Sequence, residues 1–298
     1  VSSDSQKVPV EVEGRKLVLS NLDKVLYPAA GFTKAQVLDY YQQIAAVLLP
    51  HIAHRPVTIK RYPDGVDGKF FFQKNAPAGR PDWVPTASLP SPGSTKSRET
   101  VEYVLGGDLP TLIWAANLAA LELHTPMWRY PDAGRPDLLV FDLDPGPPAT
   151  VVECCAVALL LRPLLTELGL EPVAKTSGGK GLQVYAAVSN TTSDQASDLA
   201  KDLAERLEAD EPDLVVSRMT KALRPRKVLI DWSQNNAAKT TVAPYSLRAR
   251  EQPTVSTPVS WDEVEACTHA GDLVFTADDV LARVAAHGDL FAATLGVG

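Results

Sequence analysis

Apolar residues recur along this chain in two rhythms, and each change of rhythm marks a change of secondary structure. Val8, Val10 and Val12 alternate with polar residues, Glu13 and Gly14 interrupt, and Leu17 and Leu19 resume the alternation, which predicts a β-hairpin. The rhythm then turns helical. Val37, Tyr40, Tyr41, Ile44, Val47 and Leu48 recur at helical spacing, with Thr33 placed to cap the start and Pro50 to end it. Residues 56–74 regain strand character through Val57, Ile59 and the run Phe70, Phe71 and Phe72, with Pro63-Asp64-Gly65 as the turn between two strands. Residues 85–97 are rich in Pro, Ser and Gly and predict a long loop.

Further along, the apolar run over residues 109–123 predicts a helix with His124 at its end, and residues 138–142 predict a short buried strand between Pro136 and Pro145. Helices are expected over 150–168 and 193–209, and strands over 172–176, 182–188 and 228–231. Two short amphipathic helices follow, one around Trp261 and one over 278–287. Strands and helices mix throughout, without a linker-like stretch or an internal repeat. The pattern predicts an α+β (mixed α/β) fold, with residues 1–298 as one two-lobed domain around a central sheet flanked by helices.

Composition adds exclusions. With 45% hydrophobic and 22% charged residues the chain is ordinary globular material, neither disordered nor collagen-like. No apolar run approaches the roughly 18 residues of a membrane span, and Val1 to Gln6 is polar where a signal peptide would carry apolar residues, so no membrane partner and a cytoplasmic location are expected. Cys154, Cys155 and Cys267 lack metal-site or C-x-x-C spacing and read as reduced, buried residues. The net charge of −7 argues against a polyanion partner until its distribution is examined. Residues 14–80 hold 10 Lys/Arg against 4 Asp/Glu, and residues 214–250 hold 8 against 1. Two basic tracts in an otherwise acidic chain suit local phosphate binding.

Three motifs carry candidate chemistry. In Val140-Phe141-Asp142-Leu143-Asp144-Pro145-Gly146, a strand of period two puts Asp142 and Asp144 on one face, at a strand end fixed by Pro145-Gly146. Two hard oxygen ligands so placed suit Mg²⁺ or Mn²⁺, although paired aspartates also serve as turn residues. Thr176-Ser177-Gly178-Gly179-Lys180-Gly181 is a Gly-rich turn whose backbone N–H groups, Ser177 hydroxyl and Lys180 charge suit a polyphosphate. It lacks the Walker spacing, and a simple hairpin accounts for it equally well. Val228 to Asp231 is an apolar strand ending in a carboxylate able to complete a three-carboxylate site, or to cap a turn. Lys221, Arg224, Arg226, Lys227, Lys239 and Arg248 surround it in sequence.

These motifs stand in an order that resembles the polymerase domain of bacterial DNA ligase D, within the archaeo-eukaryotic primase superfamily. The resemblance runs from Asn21-Leu22-Asp23-Lys24-Val25-Leu26-Tyr27-Pro28 through Arg55-Pro56, Lys60-Arg61-Tyr62-Pro63-Asp64-Gly65 and Phe71-Phe72-Gln73-Lys74 to Lys239-Thr240-Thr241 and Ala243-Pro244-Tyr245-Ser246-Leu247-Arg248. It implies a primase-polymerase fold and a metal-dependent, template-directed DNA/RNA polymerase for repair, one that fills gaps or extends primer ends and prefers ribonucleotides. By resemblance Asp142, Asp144 and Asp231 hold two divalent ions, Mn²⁺ ahead of Mg²⁺. Ser177, Lys180, Gln234 and Arg248 contact the incoming nucleotide or its triphosphate, His124 lies near its sugar and phosphates, and Lys60, Phe71 and Phe72 line the base pocket. Asn21, Lys24 and Lys34 match the family's pocket for a 5′-phosphate across a gap. Of the adjacent rings Phe71 and Phe72, strand geometry predicts that one is buried and the other reaches a base.

The implied partners are gapped or broken duplex DNA bearing a 5′-phosphate, nucleoside triphosphates, an ATP-dependent DNA ligase and the end-bridging protein Ku, in a bacterial, nucleoid-associated setting. One departure stands out: relatives commonly carry His where this chain has Gln183, which donates a hydrogen bond but carries no charge. A ligase motif of the Lys-x-Asp-Gly type is absent, so the expectation is a stand-alone polymerase with its ligase on another chain. Two rivals remain at this point. Phe141-Asp142-Leu143-Asp144 resembles the nucleophile strand of haloacid-dehalogenase-like phosphatases, and Lys24 with Lys34 would also serve a catalytically silent module binding DNA ends.

Overall fold

The computed structural model describes residues 7–90 and 99–296. In chain order the elements are β1 (Lys7–Val12), β2 (Arg15–Ser20), β3 (Val25–Tyr27), β4 (Phe32–Thr33), α1 (Lys34–Ile52), β5 (Pro56–Arg61), β6 (Phe71–Gln73), β7 (Thr86–Pro90) and β8 (Thr100–Leu105). They continue as α2 (Leu109–Asn117), β9 (Ala120–Thr125), β10 (Leu138–Pro145), α3 (Val151–Glu167), β11 (Pro172–Thr176), β12 (Leu182–Ala187), α4 (Ser193–Asp210) and β13 (Val215–Val216). The last are β14 (Val228–Asp231), β15 (Thr241–Val242), β16 (Pro258–Val259), α5 (Trp261–Ala266) and α6 (Ala277–His287).

Two larger sheets organise the fold. The first has six strands in the order β13-β14-β10-β12-β11-β16, all antiparallel except β13 with β14. The second runs β15-β9-β5-β8-β7, with β6 also paired to β5. The expected α+β class holds. No helix among the described residues is long and apolar enough to cross a membrane.

Strand alternation on β10 explains how the first sheet serves both a core and a site. Leu139, Phe141 and Leu143 are fully buried against α3 and α4, where Cys154, Val157, Ala158, Leu161, Ala200 and Ala204 meet them. Leu138 and Val140 lie on the opposite face with Met127, Tyr185 and Phe291, and period two carries Asp142 and Asp144 to that same face. All three cysteines are free and buried. A second core forms where α1 and α2 cover the other sheet, and two buried tyrosines of α1 donate to distant carbonyls, Tyr40 to Tyr245 (2.8 Å) and Tyr41 to Leu121 (2.6 Å).

Three sequence expectations are corrected. The apolar run over 109–123 is helical only to Asn117, and Ala119 turns the chain with φ 57° into strand β9. His124 therefore sits on a strand. Residues 86–90 form strand β7 inside the expected loop, while residues 91–97 of that loop, like the polar start at 1–6, lie outside the described residues. Pro50 lies within the last turn of α1 and does not end the helix, which continues to Ile52.

The C-terminal segment is clasped by Asp289, whose carboxylate accepts from the Tyr245 hydroxyl (2.6 Å) and the Phe291 amide (2.9 Å) and meets His51 Nε2 at 2.8 Å. Asp289→Ala is expected to lower stability by about 2–4 kcal/mol, because it removes charged hydrogen bonds and leaves polar partners unpaired. Urea unfolding measures this, and a change below about 0.5 kcal/mol, the range of neutral surface substitutions, would show the clasp to be incidental.

Candidate active site

Four strands of the first sheet place a row of polar side chains in register. Lys175 of β11 pairs with Gln183 of β12, Gln183 with Asp142 of β10, and Asp142 with Asp231 of β14, so all four lie on the sheet face away from α3. Asp144 follows two residues on. Burial, then the charge of Asp144, pushes the Asp142 carboxyl up to about 7; burial, then Asp231, raises Asp144, against which Arg224 acts. Carboxylates crowded in this way favour a bound cation.

Their geometry is less symmetric than their sequence positions imply. Asp142 Oδ1 accepts from Gln183 Nε2 at 2.9 Å. Asp231 is occupied at both oxygens: Oδ1 accepts from the Ser233 amide (3.1 Å) and hydroxyl (2.5 Å), and Oδ2 from Gln234 Nε2 (2.9 Å). Among the described residues no group of three His, Cys, Asp or Glu side chains stands in metal-holding geometry. Asp142 and Asp144 nevertheless present hard oxygens at one strand end, a donor set that fits Mg²⁺ or Mn²⁺.

The Gly-rich turn joins β11 to β12 beside these carboxylates. Its amides are largely used within the turn: Gly178 N–H donates to Thr176 Oγ1, while Gly179 and Gly181 N–H both donate to Ser177 Oγ, at 3.2 and 3.1 Å. The Ser177 oxygen is thus an acceptor inside the loop, which leaves its hydroxyl hydrogen to donate outward, and Lys180 is exposed. Gly178 needs its φ of 65°, and a Cβ there would meet Val255 backbone at 2.7 Å. Arg248 Nη1 donates to Ser177 O (3.0 Å), locking the turn to the 248–255 segment.

The second sheet forms the facing wall. Glu122 on β9, unrecognised from sequence, is buried and binds His124 Nε2 (2.9 Å), Lys60 Nζ (3.4 Å), the Tyr62 hydroxyl (3.4 Å) and the Ala249 amide (3.2 Å), with Arg248 Nε at 3.6 Å. Burial alone would raise its pKa; the His124 hydrogen bond and the charges of Arg248 and Lys60 outweigh this and hold it at about 2. One anion therefore fixes three of the residues expected to bind nucleotide. Its sequence signal was a lone carboxylate inside an apolar run. A cleft of about 390 Å³ between the walls is lined by His124, Asp142, Asp144, Ser177, Lys180 and Arg248, with Gln183 and Gln234 also on its surface. Arg250, which also went unrecognised, lines it too, its guanidinium packed on Gly179.

The phenylalanines divide differently from the expectation. Neither is buried: Phe71 is 44% and Phe72 56% exposed. Phe72 meets His124 edge-on at 5.7 Å, and Lys60 Nζ lies 5.3 Å from its ring, whereas Phe71 stacks near Arg61 at 5.1 Å. β6 is a three-residue strand with too little covering it to bury either ring, so period two separates Phe72 toward the cleft from Phe71.

Asn21, Lys24 and Lys34 do come together. Asn21 takes φ 54°, Lys24 N–H donates to its carbonyl, and Lys34 N–H donates to Lys24 O at 2.8 Å. Lys34 is only 4% exposed and donates to Ser20 O at 2.6 Å; burial, then Lys24 and Arg61, lowers its pKa to about 8. Lys24 is open and paired with Asp64 at 3.2 Å.

Comparison with known proteins identifies the family of the whole chain. The family described as LigD, primase-polymerase domain, matches residues 33–291. The multifunctional non-homologous end joining protein LigD of Mycolicibacterium smegmatis is 47% identical over 277 residues, which are 92% of this chain and 35% of that protein. The bifunctional LigD of Bacillus subtilis is 32% identical over 275 residues, 92% of this chain and 43% of that protein. The chain thus spans less than half the length of these curated relatives. Among solved structures, the polymerase domain from Mycobacterium tuberculosis ligase D in complex with DNA superposes with a TM-score of 0.87 at 42% identity, covering 94% of this chain and 98% of that one.

Proposed function

Because the chain belongs to the LigD primase-polymerase family and is a nucleotidyltransferase, we propose that it works in end-joining DNA repair, filling gaps or extending primer ends with ribonucleotides in preference to deoxynucleotides, and that it recognises a downstream 5′-phosphate. The observation that carries the nucleotidyl-transfer part of this reading is the cleft lined jointly by Asp142, Asp144, Ser177, Lys180 and Arg248. The phosphatase and silent-module rivals give way to the family assignment.

In this reading Asp142, Asp144 and Asp231 would hold two divalent ions, Asp231 in place of its present bonds to Ser233 and Gln234. Bound there, Mn²⁺ or Mg²⁺ supplies the Lewis acidity that favours attack on the α-phosphate. Lys180 and Arg248 set fixed positive charge against the triphosphate, where charge grows as pyrophosphate leaves, and Ser177 donates its free hydroxyl hydrogen to a phosphate oxygen. Gln234 lines the cleft and would donate its side-chain amide hydrogens to the same ligand. Lys60 and His124, both tied to Glu122, flank the nucleotide, and Phe72 offers an exposed ring to a base. Phe71 belongs to the base pocket in this scheme only if β6 turns on binding. Filling a gap leaves a nick, so a DNA ligase is the expected partner activity, and Ku the partner for holding broken ends together.

The test is extension of a gapped primer with ribo- and deoxynucleotides, each in Mn²⁺ and in Mg²⁺. A preference of about tenfold or more in kcat/KM for ribonucleotides is expected, the worth of one hydrogen bond to the 2′-hydroxyl. Deoxynucleotide preference in both metals would end the sugar assignment, and absence of extension in every condition would end the polymerase reading.

A further inference from the structure

Lys175 is a fully buried lysine that the chemistry above does not use; burial pulls its pKa well down, and the charge of Asp142 acts against this. It donates to Gln183 Oε1 (2.5 Å), Val242 O (3.0 Å) and Ser256 Oγ (2.7 Å), and the Ser256 hydroxyl in turn donates to Thr176 O (2.8 Å). Three acceptors use all three ammonium hydrogens, yet none is a carboxylate. An unpaired buried charge is costly, so its nearest counter-charge needs explaining. That charge is Asp142, one residue further along the register row and reached through the Gln183 side chain.

The orientation of Gln183 follows from these contacts. Lys175 only donates, so the amide atom facing it is the oxygen, and the Tyr185 hydroxyl adds a second donor to that oxygen at 3.3 Å. Nε2 is thereby turned to Asp142 Oδ1. We infer that Gln183 is a positioning residue, its amide aimed by Lys175 so that it fixes the Asp142 carboxylate by one oxygen and leaves the other for metal. In its protonated form Lys175 also offsets the repulsion between Asp142 and its acidic neighbours without occupying a ligand oxygen. Tyr185, joined to Thr241 at 2.8 Å, braces the amide from the side of β15.

This inference rests on the proposed metal site, and the test separates the two. Mn²⁺ binding is measured without turnover, by the electron paramagnetic resonance signal of free Mn²⁺, on wild type, Gln183→Met, Lys175→Met and the double variant. Thermal unfolding in EDTA accompanies each titration. If wild type takes up no Mn²⁺, the metal site itself fails. If it binds, Gln183→Met is expected to bind about 10–100-fold more weakly with its fold retained, the usual effect of losing a partner that orients a ligand. In turnover, the lost kcat should return at high Mn²⁺ while the nucleotide KM stays within about threefold, a split that a general loss of structure would not give. Lys175→Met should weaken Mn²⁺ binding in the wild-type background and add nothing in the Gln183→Met background. Equal Mn²⁺ affinity in wild type and Gln183→Met overturns the inference. A lysine effect that persists without Gln183 overturns the relay, since the charge then acts on Asp142 directly. Should Lys175→Met fail to fold, Gln183→Met decides the matter alone.

Discussion

Asp142→Asn is expected to stop nucleotide addition while making the metal-free protein more stable. The two effects share one cause. Asp142 is crowded by Asp144 and Asp231 on a largely desolvated face, which lifts its carboxyl to about 7 from an ordinary value near 3.8. The sign follows directly. Below the unfolded pKa both states are protonated and the group costs nothing. Between there and about pH 7 the unfolded chain ionises while the folded carboxyl resists, so the folded state loses stability progressively, and above that range the loss is constant. Asparagine keeps an oxygen for Gln183 Nε2 but carries no charge. In EDTA at pH 8 the variant should therefore gain about 1–3 kcal/mol over wild type, a gain that shrinks toward pH 4. With Mn²⁺ present, primer extension should fall by about 10³-fold or more, equivalent to about 4 kcal/mol of lost transition-state stabilisation. Thermal unfolding across pH and single-turnover extension measure the two halves. A folded variant that extends primers within tenfold of wild type would remove Asp142 from the reaction, and one less stable than wild type at pH 8 would show that the carboxylates do not repel.

What the sequence disclosed about this site depended on whether neighbours along the chain were also neighbours in function. Asp142 and Asp144 share one strand, and the Gly-rich turn is contiguous, so period two and backbone freedom were enough to find them. Glu122 and Lys175 were hidden. Each is a charged residue in a strand whose partners come from other strands, and their roles depend on cross-strand register, which local pattern does not encode. The same limit explains His124. After Pro110, which only starts the helix, the apolar run over 109–123 has no Gly or Pro and reads equally as buried helix or buried strand; it holds one of each, divided at Ala119 in a left-handed conformation that no residue type announced. The division of the strands between two larger sheets was not legible for a related reason: strands 56–61 and 138–145 have similar apolar character, and nothing local assigns them to separate sheets. Phe71 and Phe72 were misjudged because burial belongs to what packs over a strand, and little covers β6.

Replacing Lys24 by Ala together with Lys34 by Met is expected to abolish the advantage of a 5′-phosphate over a 5′-hydroxyl at a gap. Lys34 is buried, turned onto Ser20 O and close to Lys24 and Arg61, which repel its charge. A phosphate dianion at this point would relieve that repulsion. Lys24 holds Asp64 only in an open surface pair, which is weak and easily exchanged for a phosphate. Two charge-assisted hydrogen bonds at roughly 1.5–3 kcal/mol each predict a loss of about 10²-fold or more in affinity for the phosphorylated gap. Methionine at position 34 keeps the buried stem, so folding should survive. Extension on a template without a downstream strand should change little, because the cleft is untouched. The pH dependence gives an independent check. Lys34 is charged below about 8 and loses its proton above it, whereas an ordinary lysine holds its proton to about 10.4. The phosphate advantage of wild type should therefore be full near pH 7 and decline between about pH 8 and 9.5, with bound phosphate shifting the decline upward. Titrations against gaps with and without the phosphate, at fixed salt, measure both effects. Equal discrimination by wild type and the double variant, or a wild-type advantage unchanged to pH 10, would place phosphate recognition elsewhere on the molecule.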